Sequence, residues 1–168
     1  MFFYKETSRL ILRSPKSEDA LDFAQKRSSP FVLKYNLYSP CDKEQVLLEF
    51  ENYFSILIIL KETNTLIGEV RVKDDEFRYH TNSKELQFWL TEDFARQGYM
   101  TESLNLIIEF LFSSGNADRI SVRVFSDNVA SCKLVEKLGF IKEGYFKNAI
   151  KNSCGEIFDL VCYVLERK

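Results

Sequence analysis

The chain has 168 residues, of which 45% are hydrophobic and 14% aromatic, enough to bury the core of one compact domain without disulfides or a structural metal. Its 23 basic and 25 acidic residues give a net charge of -2, which offers no general argument for nucleic-acid binding. The longest aliphatic run, 56–60, is far shorter than the ~20 residues that cross a bilayer. We therefore predict a single domain over residues 1–168 that binds neither nucleic acid nor a membrane.

The cysteine pattern indicates reduced thiols. Cys41, Cys132, Cys154 and Cys162 form no CxxC pair, and His80 is the only histidine in the chain. This pattern supports neither a zinc cluster nor a disulfide framework, so we expect no metal. The first residues also lack the basic and apolar regions of a signal peptide, and both observations predict a cytoplasmic location.

The chain begins with a predicted strand and helix. Residues 9–13 are a short apolar stretch that Pro15 stops, which indicates a strand. Ser17, followed by two acidic residues, is interpreted as the cap of a helix that ends near Arg27. A loop over 28–41 follows.

A second helix and two strands come next. Asp42 and Gln45 have capping-box spacing ahead of an apolar helical face, so a helix begins here. The period then changes to that of strands at 55–60 and 65–73, the second of which alternates apolar and charged residues.

The remaining elements follow from periodicity and capping residues. A polar loop at 74–83 comes first, followed by a strand at 85–90, a helix at 99–114 and a strand at 119–125. Asp127 and Asn128 can cap the next helix, which ends before Gly139. The chain finishes with a strand at about 140–146, a polar segment at 147–156 and a strand at 157–165. The order predicts an α/β (α+β) sandwich of a mixed sheet and helices.

The most informative segment is the strand at 85–90 with the glycine-containing turn after it. The turn opens a helix, so it presents unpaired backbone N–H groups and the positive end of the helix dipole toward an anion, aided by Arg96. Gly98 permits a close backbone approach or a left-handed conformation. A phosphate-bearing ligand fits this pattern, although a plain loop around one glycine would look the same.

The larger arrangement resembles the GNAT superfamily of N-acetyltransferases. The resemblance is carried by residues 85–103, the element order, Asn-Val-Ala-Ser at 128–131 and Lys-Leu-Gly-Phe at 137–140, and it extends from 7–13 to 155–163. Within the superfamily, the chain is similar to the branch of ribosomal-protein N-terminal acetyltransferases. This implies a single-domain acyl-CoA N-acyltransferase fold, with a mixed, mostly antiparallel sheet whose central strands splay apart between flanking helices.

The resemblance also implies a site for acetyl-CoA as co-substrate. Its diphosphate would bind the turn and helix start at Arg96, Gln97, Gly98, Tyr99, Met100 and Thr101. Its pantetheine arm would lie between the strands 85–90 and 119–125, where the backbone groups concerned are those of Phe88, Trp89 and Leu90. Asn128 and Ser131 are expected to face the same ligand, although capping chemistry equally explains Asn128.

Three positions depart from the family pattern. Ala95 stands where the signature has Arg or Gln, and Met100 stands where it has Gly or Ala. Val135 stands where many members have a tyrosine acid. These departures favour one alternative function, a non-catalytic acyl-CoA-binding or regulatory domain on the same fold.

Direct acetyl transfer needs an oxyanion donor, a base for the amine and an acid for the thiolate. The N–H of Phe88 or Trp89 is the candidate oxyanion donor. Glu85 is the leading candidate base, and Glu69, Asp159 or a bound water are the alternatives. Val135 stands at the position of the tyrosine acid, so Ser131, directly or through water, is the candidate acid, as the resemblance to the ribosomal-protein branch implies.

The acceptor is predicted to lie between 27–40 and the polar segment 147–156. Tyr35 and Tyr145 are the candidate substrate-binding residues, although aromatic side chains are equally explained by packing. The acceptor is a primary amine, either a protein N-terminus or a small molecule, and the sequence leaves monomer and homodimer open. A nucleotide-binding oxidoreductase is disfavoured, since no GxGxxG follows an early strand.

Overall fold

The fold is taken from a computed structural model that describes residues 2–167. Its strands are β1 (Tyr4–Glu6), β2 (Leu10–Arg13), β3 (Phe54–Leu60), β4 (Thr65–Asp74), β5 (Ser83–Leu90), β6 (Arg119–Phe125), β7 (Ile141–Lys151) and β8 (Ile157–Glu166). Its α-helices are α1 (Ala20–Arg27), α2 (Pro30–Lys34), α3 (Lys43–Asn52), α4 (Tyr99–Ser113) and α5 (Val129–Lys137). None of the helices in this part of the chain is long and apolar enough to cross a membrane.

The eight strands form one sheet in the order β1-β2-β3-β4-β5-β6-β8-β7. Neighbouring strands run antiparallel except β5 and β6, which are parallel. Helices α4 and α5 pack on one face through a core that includes Leu104, Ile107 and Val135. Helices α1 and α3 cover the other face around Phe23 and Val46. The predicted mixed, mostly antiparallel sheet between helices is therefore confirmed.

Local chemistry sets several element boundaries as predicted. Asp42 Oδ1 accepts from the Gln45 backbone N–H at 2.9 Å, and Gln45 Oε1 accepts from the Asp42 backbone N–H at 3.0 Å, so the capping box begins α3. In β4 the valines Val70 and Val72 face the α4 core, because side chains in a strand alternate between its faces.

Two predictions near the start of the chain are wrong, and one strand there was not predicted. The predicted loop contains α2, which begins with Pro30 in the first turn, where the missing N–H of proline costs no hydrogen bond. Ser17 is not a helix cap, since a 3-10 turn precedes α1 and Asp19 accepts from the Lys16 N–H at 2.7 Å. β1 was not predicted, because its three residues are all exposed and so show no alternation of apolar and polar side chains.

The polar segment 147–156 is a strand for about half its length. β7 extends to Lys151, five residues beyond the predicted end, because this edge strand is exposed on both faces and shows no apolar alternation. The turn to β8 is organised by buried Asn152, whose Oδ1 accepts from the N–H groups of Cys154 and Glu156 at 3.0 and 2.9 Å. Its Nδ2 also reaches the Lys34 carbonyl at 3.3 Å, which ties this turn to α2.

Charged residues are buried between β4 and the helices α1 and α3. Glu69 is fully buried and accepts hydrogen bonds from Ser55 Oγ at 2.6 Å and Trp89 Nε1 at 2.9 Å. Arg71 Nε lies 3.3 Å from Glu69 Oε1, and Arg71 Nη2 lies 2.7 Å from Glu49 Oε2. These contacts compensate the desolvation of the buried charges. Removing one partner of a buried ion pair is therefore expected to lower the free energy of unfolding more than removing one partner of an exposed pair.

We predict that Glu69→Ala lowers the free energy of unfolding by about 3–5 kcal/mol, because it leaves the Nε of buried Arg71, the Ser55 hydroxyl and the Trp89 indole N–H without their acceptor. Urea unfolding of the two proteins measures the difference. The control is Glu51→Ala, which truncates an exposed glutamate on α3. An equal loss in the two variants would contradict a stabilising role for the buried carboxylate.

Candidate active site

The site begins where β5 and β6 part. Their parallel register runs from Ser83 opposite Arg119 to Leu86 opposite Val122 and then ends, although both strands continue. On its other side, β5 stays paired with β4 as far as Leu90. The predicted splay of the central strands is therefore present, and residues 87–90 have a neighbouring strand on one side only.

Hydrogen bonds at the ends of β5 fix which backbone groups face the gap. The Ser83 carbonyl accepts from the Asp75 N–H at 3.1 Å, and the Thr91 N–H donates to the Ile67 carbonyl at 2.9 Å. The backbone N–H and C=O groups of the odd-numbered residues of β5 therefore point toward β4. The Lys84 carbonyl points the other way, toward Ser121 Oγ of β6 at 3.4 Å.

Backbone groups of a strand alternate between its two edges. The N–H and C=O groups of Phe88 and Leu90 therefore face the gap, whereas those of Trp89 face β4. The Trp89 N–H is therefore turned away from the gap, contrary to the expectation that it could be an oxyanion donor, and the Phe88 N–H is the candidate that faces the gap. The indole of Trp89 is also committed, since it is buried and donates to Glu69.

A cleft of about 350 Å³ opens along the parted strands. Five of the predicted site residues line it: Tyr35, Glu85, Phe88, Asn128 and Ser131. Tyr145 is not among the lining residues; it lies on β7, half-exposed, and donates to Asp159. The fold therefore brings Glu85, Phe88, Asn128 and Ser131 to one cleft. Trp89, Leu90, residues 96–101 and Tyr145 are not among its lining residues.

Glu85 lies in the cleft within a set of opposite charges. Its carboxylate is buried and accepts from Arg123 Nη1 and from Gln87 Nε2 at 3.1 Å, and Lys73 Nζ lies 3.5 Å from Oε1. Arg123 also pairs with buried Asp75, with Nη2 2.5 Å from Oδ1. Because two cations contact the Glu85 carboxylate, accepting a proton would require these contacts to loosen.

The other two candidate carboxylates lie elsewhere. Glu69 is buried beneath α1 and α3, outside the cleft lining. Asp159 accepts from the Tyr145 hydroxyl and from the Asn148 N–H at 2.8 Å, contacts that hold its pKa below the ordinary value. Glu85 is therefore the one of the three that faces the cleft.

The start of α5 meets the cleft at Asn128 and Ser131. Asn128 Oδ1 caps the helix by accepting from the Ser131 N–H at 3.2 Å, so its Nδ2 group is the part left to serve a ligand. The Val135 side chain is completely buried in the core. The position of the family's tyrosine acid is thus filled by core packing, and Ser131 supplies the hydroxyl that α5 presents to the cleft.

The start of α4 has the backbone geometry of an anion site. Arg96 and Gly98 both adopt positive φ, 61° and 83°, and Gly98 is the N-cap of the helix. A glycine has no side chain with which to cap, so the first N–H groups of α4 at Tyr99, Met100 and Thr101 have no side-chain cap, in contrast to those of α3 and α5. The Met100 side chain is buried, so this residue offers a ligand only its backbone.

Several cleft residues were missed from sequence. Lys73, Glu76, Phe77 and Arg123 line the cleft, and the guanidinium of Arg123 lies 4.0 Å from the centre of the Phe77 ring. The signal for Arg123 was a charged residue within a buried strand. Phe77 and Glu76 come from the polar loop 74–83, whose path no sequence pattern defines.

Burial and charge perturb two groups beside the cleft. Burial raises the pKa of the Tyr38 hydroxyl, and the charge of Glu69 raises it further. Burial also raises the pKa of the Asp75 carboxyl, but hydrogen bonds from Ser121 and the Phe77 N–H, with the charge of Arg123, outweigh this and hold it below the ordinary value.

Within residues 2–167, no cluster of three or more His, Cys, Asp or Glu side chains is arranged to hold a metal ion.

Known proteins match this chain in sequence and in fold. The chain is 30% identical over 174 residues to an uncharacterized N-acetyltransferase, p20, of Bacillus licheniformis, covering 96% of this chain and 95% of that protein. It is 31% identical over 104 residues to the ribosomal-protein-serine acetyltransferase of Escherichia coli, covering 62% of this chain and 56% of that protein.

A solved structure shares the fold. RimL, a ribosomal L7/L12 alpha-N-protein acetyltransferase in complex with coenzyme A, matches with a TM-score of 0.79 at 20% identity, over 95% of each chain. Residues 9–141 match a family model described as an acetyltransferase (GNAT) domain. The match spans the parted strands, the uncapped start of α4 and the start of α5. The chain therefore belongs to the GNAT acetyltransferase family and is an acetyl-CoA-dependent N-acetyltransferase.

Proposed function

We propose that the cleft between β5 and β6 is the active site, where an acetyl group passes directly from acetyl-CoA to a primary amine. The observation that carries this proposal is the unpaired edge of β5 at Phe88 and Leu90. Its backbone groups suit the amides of a pantetheine arm, because buried backbone donors and acceptors need partners. The start of α4 at 96–101, which follows β5, would bind the diphosphate.

The cleft residues divide the chemistry between them. The Phe88 N–H stabilises the negative charge on the thioester oxygen as the amine nitrogen attacks the carbonyl carbon. As the carbon–nitrogen bond forms and the carbon–sulfur bond breaks, the amine proton passes toward Glu85, directly or through water. Ser131, directly or through water, passes a proton to the departing thiolate and regains one from solvent in the same step. A covalent acyl-enzyme is not required.

We propose a protein N-terminus as the acceptor and keep small-molecule amines as the alternative. Two of the matched proteins are named for acetylation of ribosomal proteins, one in Escherichia coli and one described as an alpha-N-protein acetyltransferase. The acceptor side of the cleft is lined by Tyr35, Tyr38 and Phe77, with the exposed Glu76 carboxylate beside them. Aromatic side chains beside a carboxylate suit the amino group of a peptide N-terminus, because both attract a cation.

Other features of the protein are proposals that rest on sequence. They are one domain over residues 1–168, a cytoplasmic location, action without a metal, a monomer or homodimer, and no nucleic-acid or membrane partner. The near-neutral charge balance and the cysteine pattern support them.

We predict that acetyl-CoA stabilises the protein and is consumed only with an amine. Millimolar acetyl-CoA should raise the Tm, because a ligand of the folded state stabilises it by mass action. Free thiol should then appear with peptides that have a free N-terminus, tested beside polyamines and aminoglycosides. Stabilisation without turnover on any amine would favour the non-catalytic acyl-CoA-binding alternative, and an unchanged Tm would contradict acetyl-CoA binding.

Gly98→Ala tests the placement of the diphosphate. The left-handed φ of Gly98 strains any side chain, so relaxation of the turn should raise the Kd for CoA about tenfold, measured by calorimetry. The matched control is Gly115→Ala at the other end of α4, where φ is also positive, 72°, and a Cβ would meet nothing within 4 Å. Equal effects of the two variants on Kd would place the diphosphate elsewhere.

Ser131→Ala and Glu85→Gln test the proton transfers. Each should lower kcat by about 10–100-fold with little change in the KM for acetyl-CoA, because general acid and base groups act mainly in the transition state. Ser126→Ala, which removes a hydroxyl between β6 and α5 outside the cleft lining, is the control and should leave kcat unchanged. If Glu76→Gln lowered kcat more than Glu85→Gln, the base would be Glu76.

A further inference from the structure

Arg9 lies in the turn of the first hairpin, between β1 and β2, and its side chain reaches the start of α4. A turn at Thr7 holds its backbone, since Thr7 Oγ1 accepts from the N–H groups of Arg9 at 3.2 Å and Leu10 at 2.8 Å. The Arg9 carbonyl accepts from the Lys61 N–H at 2.9 Å. The backbone of Arg9 is therefore held within the turn between β1 and β2 and by the residue that follows β3.

The Arg9 side chain reaches across to the proposed diphosphate turn. Its Nη1 donates to the Gln97 carbonyl at 3.1 Å, and its Nε and Nη2 donate to Glu102 Oε2 at 2.9 and 2.5 Å. The guanidinium lies 4.4 Å from the centre of the Tyr99 ring. Arg9 thus contacts residues on both sides of Gly98, the N-cap whose left-handed conformation sets the direction of α4.

Glu102 places a negative charge one turn from the proposed anion site. Its side chain is mostly buried, and its Oε1 is buried without a hydrogen-bond partner in the described part of the chain. Without Arg9, this carboxylate would be uncompensated, and it would repel a diphosphate bound at the same helix start.

We propose that Arg9 is a positioning residue for the diphosphate turn: it fixes the Gln97 carbonyl beside Gly98 and neutralises Glu102. The inference rests on the proposed binding of acetyl-CoA at 96–101. It also accounts for Ala95, because the turn then receives its ordering contact from the first hairpin rather than from the residue that the family signature uses.

Calorimetric titration with CoA tests the charge role. Arg9→Ala should raise the Kd about tenfold, and Arg9→Lys, which keeps the charge but not the fork of donors, should fall between it and the original chain. Arg9→Ala combined with Glu102→Gln should recover most of the affinity, because the unpaired carboxylate is gone. A double variant that binds no better than Arg9→Ala would overturn the neutralising role.

Dephospho-CoA distinguishes positioning from direct contact with the 3′-phosphate. A positioning role predicts the same fold-change for CoA and dephospho-CoA in Arg9→Ala. A change confined to CoA would make Arg9 a phosphate ligand and overturn the proposal. The control is Arg13→Ala, which removes a bidentate arginine pair with Asp19 at the far end of β2 and should leave the Kd unchanged.

Hydrogen exchange of the ligand-free protein gives a readout that does not depend on CoA. Arg9→Ala should speed exchange of the amides over 97–102, including the Glu102 N–H that donates to Gly98 at 3.0 Å, while α3 stays protected. Unchanged exchange would overturn the proposal. If exchange changes as expected but the original chain binds no CoA, the proposed cofactor site fails and the ordering role of Arg9 stands.

Discussion

The end of pairing between β5 and β6 is the constraint on which the site depends. After Leu86 and Val122 the two strands have no register with each other, so one edge of β5 carries backbone groups that a protein neighbour does not satisfy. The strands are parallel, so their carboxyl ends meet at the same edge of the sheet. The segment that begins α4 follows one strand and the segment that begins α5 follows the other. Where the strands part, the open edge of β5 and the start of α5 line one cleft, and the start of α4 follows the open edge along the chain.

Two buried ion pairs lie along the central strands of the sheet. Glu69 and Arg71 pair beneath α1 and α3, and Glu85 and Arg123 pair across the two parting strands. The charges of each pair compensate one another, so this face of the sheet is polar without leaving a buried charge unpaired. The same arrangement limits Glu85 as a base, because its contacts with Arg123 and Lys73 must loosen before it takes a proton.

The departures from the family signature have physical explanations in this fold. Met100 and Val135 are buried, so both side chains fill the core between the sheet and its helices. The donors at the start of α4 belong to the backbone, and they survive a change of side chain. Ala95 has no polar side chain to contact the turn, and Arg9 of the first hairpin contacts it by donating to the Gln97 carbonyl.

Local sequence patterns predicted the elements with a buried face or a local cap: the strand Arg119–Phe125, α3 with its Asp42 cap, and α4 after Gly98. The glycine turn before an apolar helix is also a local pattern, and the proposal of an anion site rests on it. The pairing of the strands, in contrast, turns the backbone of Phe88 rather than Trp89 toward the gap and brings Arg123 to Glu85. These facts depend on strand pairing between residues far apart in the chain, which local periodicity does not encode.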